Sequence, residues 1–168
     1  MTEIIHDPVR RQRLSFTRRG DILQAEVWAD PRGDVPAHSH PAQEERFEVL
    51  AGNVRFRIGG KRHEAGPGSR LVAPAGVSHS FCNTGDVEAH LRVEVEPALR
   101  LQGFLEDAAA LARAGLYTRR GFPTRPAAVP QLADLMARYR DVTQMAFPPP
   151  AIQRLTLWAL ARLRHRRA

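Results

Sequence analysis

The chain has 168 residues, 43% of them hydrophobic and 26% charged, which suits one soluble-type globular domain with an appendage and a core that needs no covalent staples. A single cysteine, Cys82, excludes an internal disulfide framework and fits a reducing compartment. The net charge of +7 is mainly a tail feature, because Arg154, Arg162, Arg164, Arg166 and Arg167 lie beyond Ile152 with no acid among them; Lys61 is the sole lysine, and no helix-turn-helix, zinc-finger or aromatic-basic motif accompanies the charge, so nucleic acid is not expected as a partner.

The N-terminal stretch MTEIIHDPVRRQRLSF carries acidic residues and no apolar run of signal-peptide length, and no segment approaches the roughly 20 apolar residues of a membrane-spanning helix. A cytoplasmic location is the expectation. Next comes VPAHSHPAQEERFEVLAG, Val35 to Gly52, in which His38 and His40 stand two apart with Glu44 and Glu45 just behind. On a strand, residues two apart share a face, so the two imidazoles point together, and a chain that turns at Pro41 brings a glutamate back opposite them. Phe47 and Val49 are apolar and belong inside, so a period of two sends Glu45 inward and Glu44 outward.

The runs RFEVL, VRFRI and HLRVEV alternate at period two and predict half-buried strands. Gly59-Gly60 reads as a hairpin turn between two of them, and Gly66-Pro67-Gly68 and Asn83-Thr84-Gly85-Asp86 are further turns. By parity Val54, Phe56, Ile58, Leu91, Val93 and Val95 face the interior, and Arg55, Arg57 and Arg92 face out. About eight to ten short strands at this spacing predict an all-β sandwich or barrel.

After Pro97 the period changes. Leu101, Phe104, Leu105, Ala108, Leu111 and Ala112 keep helical spacing, with Gly115 at the C-terminal cap position. A proline-broken linker, YTRRGFPTRPAAVP, leads to a second predicted helix marked by Leu132, Leu135, Met136, Tyr139 and Val142 and stopped by FPPP. A third is predicted from Ala151 to about His165, basic and Trp-bearing, a lid or interface element with membrane-surface contact as the lesser reading.

GSRLVAPAGVSHSFCN, Gly68 to Asn83, supplies a third histidine, His79, just past the Pro74-Ala75-Gly76 turn. The two stretches together resemble the cupin superfamily. Gly33, His38, His40, Glu45 and Gly52 follow the first cupin motif, with four residues before His38 where five is usual; Gly68, Pro74, Gly76, His79 and Asn83 follow the second at every spacing. The likeness covers roughly residues 20–96 and implies a double-stranded β-helix (jelly-roll) barrel over 1–97, with an α-helical C-terminal extension over 98–168.

Three imidazoles and one carboxylate, from His38, His40, His79 and Glu45, make a mixed N/O set suited to one divalent first-row metal ion, with open positions for water or substrate. Phe47, Phe56, Phe81 and Asn83 are expected around the pocket. His63 lies outside both motifs and reads as a surface residue, Cys82 is out of phase with His79 and has no base beside it, and Glu26 and Tyr117 are too poorly placed to serve as proton-transfer groups. The resemblance implies a fold and a site but not one reaction. About two adjacent open metal positions and no inward-facing proton-transfer residue favour a small-molecule metalloenzyme of oxygenase type; a ligand-binding or sensing module and a sugar isomerase or epimerase are the other readings. A homodimer is expected, since a short open barrel has edges to cover.

Overall fold

The computed structural model describes residues 3–145. The predicted third helix and the FPPP stop lie outside the described residues. Among the described residues, eleven strands form two antiparallel sheets. In chain order they are β1 (Ile5–Asp7), β2 (Gln12–Arg19), β3 (Ile22–Ala29), β4 (Asp34–Ser39), β5 (Glu44–Ala51), β6 (Val54–Ile58), β7 (Lys61–Ala65), β8 (Arg70–Ala73), β9 (His79–Asn83), β10 (Ala89–Glu96) and β11 (Gln144–Met145). The first sheet has the order β1-β2-β3-β10-β5-β8 and the second β11-β4-β9-β6-β7, so neighbours in space are often distant in sequence, as a jelly roll requires.

Alternation decides which face each strand buries. On β10, Leu91, Val93 and Val95 point in, opposite Val49, Phe47 and Glu45 of β5 and Val27, Ala25 and Leu23 of β3. Across the barrel Val54 and Phe56 of β6 close the core, with the tilted rings of Phe47, Phe56 and Phe81 packed in series at 5.0 and 5.9 Å between ring centroids. The outward residues pair with one another instead: Arg92 with Glu26, Arg55 with Glu64, Arg70 with Glu48. Gly52 turns β5 into β6 at φ +80°, and any Cβ there would stand 2.7 Å from the Ala89 Cα, so only glycine fits.

Helix α1 (Leu101–Arg113) lays Leu101, Ala109 and Ala112 on the barrel, with Phe104, Leu105, Ala108 and Leu111 partly buried beside them. It ends as its sequence predicts, with Gly115 at φ +65° and the Leu116 amide donating back to the Leu111 carbonyl. A short 3-10 turn, Pro126–Ala128, opens α2 (Val129–Arg138), whose start benefits from Pro130 in the first turn.

Here the structure departs from the sequence reading. Val142 does not continue α2; the helix stops at Arg138, the Val142 and Thr143 amides donate to the Tyr139 carbonyl, and Gln144 and Met145 pair with Ser39 and His38 as β11. The backbone groups of an unpaired β4 edge outbid another helical turn. The extension is therefore stitched into the second sheet at the strand that carries the His-x-His pair. Gln43 adds a second stitch, its Nε2 donating to the Pro97 and Ala98 carbonyls at 2.8 and 3.1 Å.

Candidate metal centre

His38 lies on β4 and His40 one residue past its end, Glu45 on β5, and His79 at the start of β9. Strict alternation would not put the first two inside. Val35 already faces the interior, so Ala37 and Ser39 would follow it. A bulge corrects this: Val35 faces Phe81 but His38 faces His79, three residues on β4 against two on β9. The irregularity sits at Pro36, which has no N–H to give to a ladder, and it shifts the phase by one so that His38 and His40 turn inward. On β9 the phase is regular, and His79 shares its face with Phe81. Glu45, in phase with Phe47 and Val49, points in as its neighbours require, while Glu44 points out and pairs with Arg46 at 2.8 Å. The Pro74-Ala75-Gly76 turn serves the site through the backbone: Gly76, at φ +77°, donates its amide to the His40 carbonyl at 2.8 Å.

One ligand-type atom from each of the four side chains lies within 4.8 Å of all the others. All three imidazoles are anchored in the same way. Nδ1 of His38 meets the Pro36 carbonyl at 2.9 Å, Nδ1 of His40 the Val142 carbonyl at 2.7 Å, and Nδ1 of His79 the Val77 carbonyl at 2.9 Å. A carbonyl only accepts, so each Nδ1 carries a proton, and a ring that is neutral keeps its Nε2 lone pair for the centre. The tautomers are thus assigned from hydrogen-bond partners.

The centre holds an electrostatic conflict. Glu45 Oε2 lies 2.6 Å from His79 Nε2 and 3.4 Å from His40 Nε2, yet both Oε2 and His79 Nε2 are buried without a hydrogen-bond partner. Burial alone would raise the Glu45 carboxyl, but His40 and His79 outweigh it and hold it well below the usual carboxylate range. Burial pulls His79 down and Glu45 outweighs that, raising it. His38 is pushed down to about 3 by burial first and by His79 and His40 next, so it stays neutral. Lone pairs and a carboxylate converging on one buried point are what a cation resolves. The donor set fits a divalent first-row ion held by Nε2 of the three histidines and by the Glu45 carboxylate.

Beside the centre is a cavity of about 200 Å³ lined by Phe47, Phe81, Val93 and Val95 of the barrel and by Phe104, Leu105, Leu135 and Met136 of the helices. Phe56 and Asn83 do not line it. Phe56 is fully buried behind Phe47 and Phe81, and the Asn83 amide is consumed by the backbone: Nδ2 donates to the Ala29 and Val87 carbonyls, and Oδ1 accepts from the Gly85 amide. Leu91 and Val54 likewise belong to the closed core. Cys82 donates weakly to the Asn83 carbonyl, and burial, then Asp34, pushes its thiol up, so it is no nucleophile. His63 stands on β7 opposite Phe56, outside the cluster.

Sequence reasoning missed the groups supplied from outside the motifs. The Val142 carbonyl, Thr143, Gln12 and Tyr117 all reach the site or its cavity. Gln12 alone offered a signal, as a polar residue in phase with Leu14 on the inward face of β2.

Residues 26–96 match the family model described as Cupin domain (Cupin_2). A curated relative, Protein SchB of Streptomyces halstedii, is 37% identical over 67 residues, which is 40% of this chain and 49% of the relative; the chain thus spans about half the length of the curated relative it matches. Among solved structures, an RmlC-like cupin from Shewanella frigidimarina has 16% identity and a TM-score of 0.55, with 61% of this chain and 89% of that one covered. The cupin domain of Schizosaccharomyces pombe Cnp3 gives 12% identity and a TM-score of 0.51 over 67% and 74% of the two chains. TT1209 from Thermus thermophilus gives 22% and 0.51 over 55% and 89%. At these identities the solved structures show the fold alone.

Proposed function

We propose that this chain, a cupin-superfamily protein whose cupin domain covers residues 26–96, is a metalloenzyme of oxygenase type that holds one divalent ion at His38, His40, Glu45 and His79 and acts on a small organic molecule in the adjoining cavity. The observation that carries the reading is the uniform anchoring of the imidazoles. Three Nδ1–H groups spent on backbone carbonyls leave three Nε2 atoms and one carboxylate facing one point. A bound ion of this class supplies Lewis acidity and, if redox-active, a site where substrate and dioxygen meet.

The chain's own residues do the rest. Phe47, Phe81 and the helix residues keep bulk water from the substrate, and the apolar wall orients its body against the ligand set. An isomerase needs a titratable group beside the substrate, and the lining supports that reading poorly. The Tyr117 phenol is pushed up by burial and then by Asp7, and the Asp7 carboxylate is spent on the Val9 and Arg10 amides at 2.9 Å each. An apolar wall also suits sugars badly.

Metal content of the purified chain, followed by anaerobic loading with iron, manganese, nickel or copper, tests the reading. A catechol or diketone probe is then added and oxygen uptake followed on admitting air. Consumption of oxygen with a changed probe is expected; a probe recovered unchanged with every ion establishes the non-catalytic ligand-binding alternative.

A further inference from the structure

The cavity has a second end. Glu45 faces Val95, which faces Leu23, so the ligand set lies at the level of Leu23 on β3. Gln12 faces Ala29, at the opposite end of the same strand. At about 3.3 Å per residue the two levels are roughly 20 Å apart along β3. Gln12 and the cluster nevertheless line one continuous cavity.

Gln12 is only 4% exposed, and its Oε1 is buried with no hydrogen-bond partner. An unsatisfied buried amide oxygen is destabilising, which a protein tolerates where something else supplies the donor. Tyr117 stands in the same corner, 7% exposed, its hydroxyl donating only through long contacts of 3.3 and 3.4 Å to the Ala108 carbonyl and Asp7. Between the two ends the wall is apolar: Leu14, Leu23 and Val27 on one side, Phe104, Leu105 and Leu135 on the other. The corner carries one charge of each sign, Asp7 and Arg10. Asp7 accepts the Val9 and Arg10 amides, and Arg10 donates to the Arg119 carbonyl at 2.9 Å, 4.0 Å from Asp34. A ligand anion there would face the buried Asp7 carboxylate, and a ligand cation the Arg10 guanidinium.

We propose that this composite cavity, half barrel and half helical extension, binds an uncharged, largely apolar aromatic or alicyclic molecule whose hydroxyl donates to Gln12 Oε1 at the end remote from the His38/His40/Glu45/His79 cluster. The near end rests on the metal-centre reading; the far end stands without it. The extension is thereby a specificity element, because α1 and α2 form the wall that sets the cavity's width.

The full-length chain, stripped of metal and separately loaded with Zn²⁺, is titrated with 2-naphthol, naphthalene and 2-naphthoate by fluorescence and calorimetry. Saturable binding of 2-naphthol to the metal-free chain is expected, about three- to tenfold tighter than naphthalene, the range one hydrogen bond to a buried acceptor supplies. 2-Naphthoate should bind weakest. Gln12→Leu should erase the naphthol advantage while naphthalene still binds, and Ala108→Trp, which fills the cavity from α1, should abolish both with Zn²⁺ content unchanged. Absence of saturable naphthol binding in both forms, a naphthol advantage that survives Gln12→Leu, or equal binding of the carboxylate overturns the proposal. A chain that binds naphthol but never takes up Zn²⁺ refutes the metalloenzyme reading alone; one that takes up Zn²⁺ but binds no naphthol refutes this one alone.

Discussion

Metal uptake should expel the proton that the Glu45 carboxylate favours on His79. In the metal-free centre the Nε2–Oε2 contact is 2.6 Å, the imidazole is raised by the carboxylate, and the carboxylate is lowered by the two imidazoles. The pair therefore sits as imidazolium and carboxylate at and below the ordinary histidine midpoint of 6.5. An ion can occupy His79 Nε2 only after that proton leaves. His38, pushed down to about 3, brings none. At pH 6 the pair should release close to one proton per ion, and affinity should fall about tenfold for each further pH unit of acidification, or about 1.4 kcal/mol. In Glu45→Gln the carboxylate that raises His79 is gone and burial acts unopposed, so the release from this pair should shrink to a small fraction. Calorimetric titration with Zn²⁺ at pH 6, in buffers of different ionisation enthalpy, counts the protons directly. Equal release from wild type and Glu45→Gln, or none from wild type, would show that Glu45 holds no proton on His79 and would refute the electrostatic account of the centre.

The remaining expectations concern stability and neighbours of the site. Below pH 6.5 the metal-free fold should weaken progressively toward pH 3, because His38 is held at about 3 when folded and binds its proton near 6.5 when unfolded; the lowered Glu45 adds to the loss, and chemical denaturation across pH reads it. Gln12→Leu should raise the melting temperature of the ligand-free protein, by the equivalent of about 1 kcal/mol, since it removes an unpaired buried oxygen; a lower melting temperature would mean that Oε1 is satisfied. Thr143→Pro deletes the amide bonded to the Tyr139 carbonyl and displaces the Val142 carbonyl that holds His40, so Zn²⁺ affinity should drop about 10- to 100-fold with the circular dichroism spectrum retained. Phe56→Ala should cost about 3–5 kcal/mol of folding stability in urea melts, as a fully buried ring between Phe47 and Phe81. Sedimentation equilibrium should give a dimer, the edge strand β8 with exposed Val72 being the face to cover; a particle of 18.8 kDa alone at micromolar concentration would refute it.

The strands, their inward faces and the spacing of His38, His40, Glu45 and His79 were legible in the sequence because all are local. Period two fixes a face, Gly-Gly and Pro-x-Gly fix turns, and the choice of Glu45 over Glu44 follows from Phe47 and Val49 two and four residues on. What the sequence could not decide depends on partners distant along the chain. The bulge at Pro36 that turns both motif histidines inward exists only against β9, and local alternation from Val35 would have sent them out. Val142 reads as one more helical residue until the free edge of β4 captures β11, and that capture, 102 residues away in sequence, aims His40. Asn83 looks like a pocket residue by phase, but the carbonyls of Ala29 and Val87 claim its amide. Gln12 becomes more than a misplaced polar residue only once α1 and α2 close the cavity over it. Short-range stereochemistry writes the elements and the ligand set; competition among distant backbone groups for hydrogen-bond partners decides which side chains the finished cavity leaves unpaired.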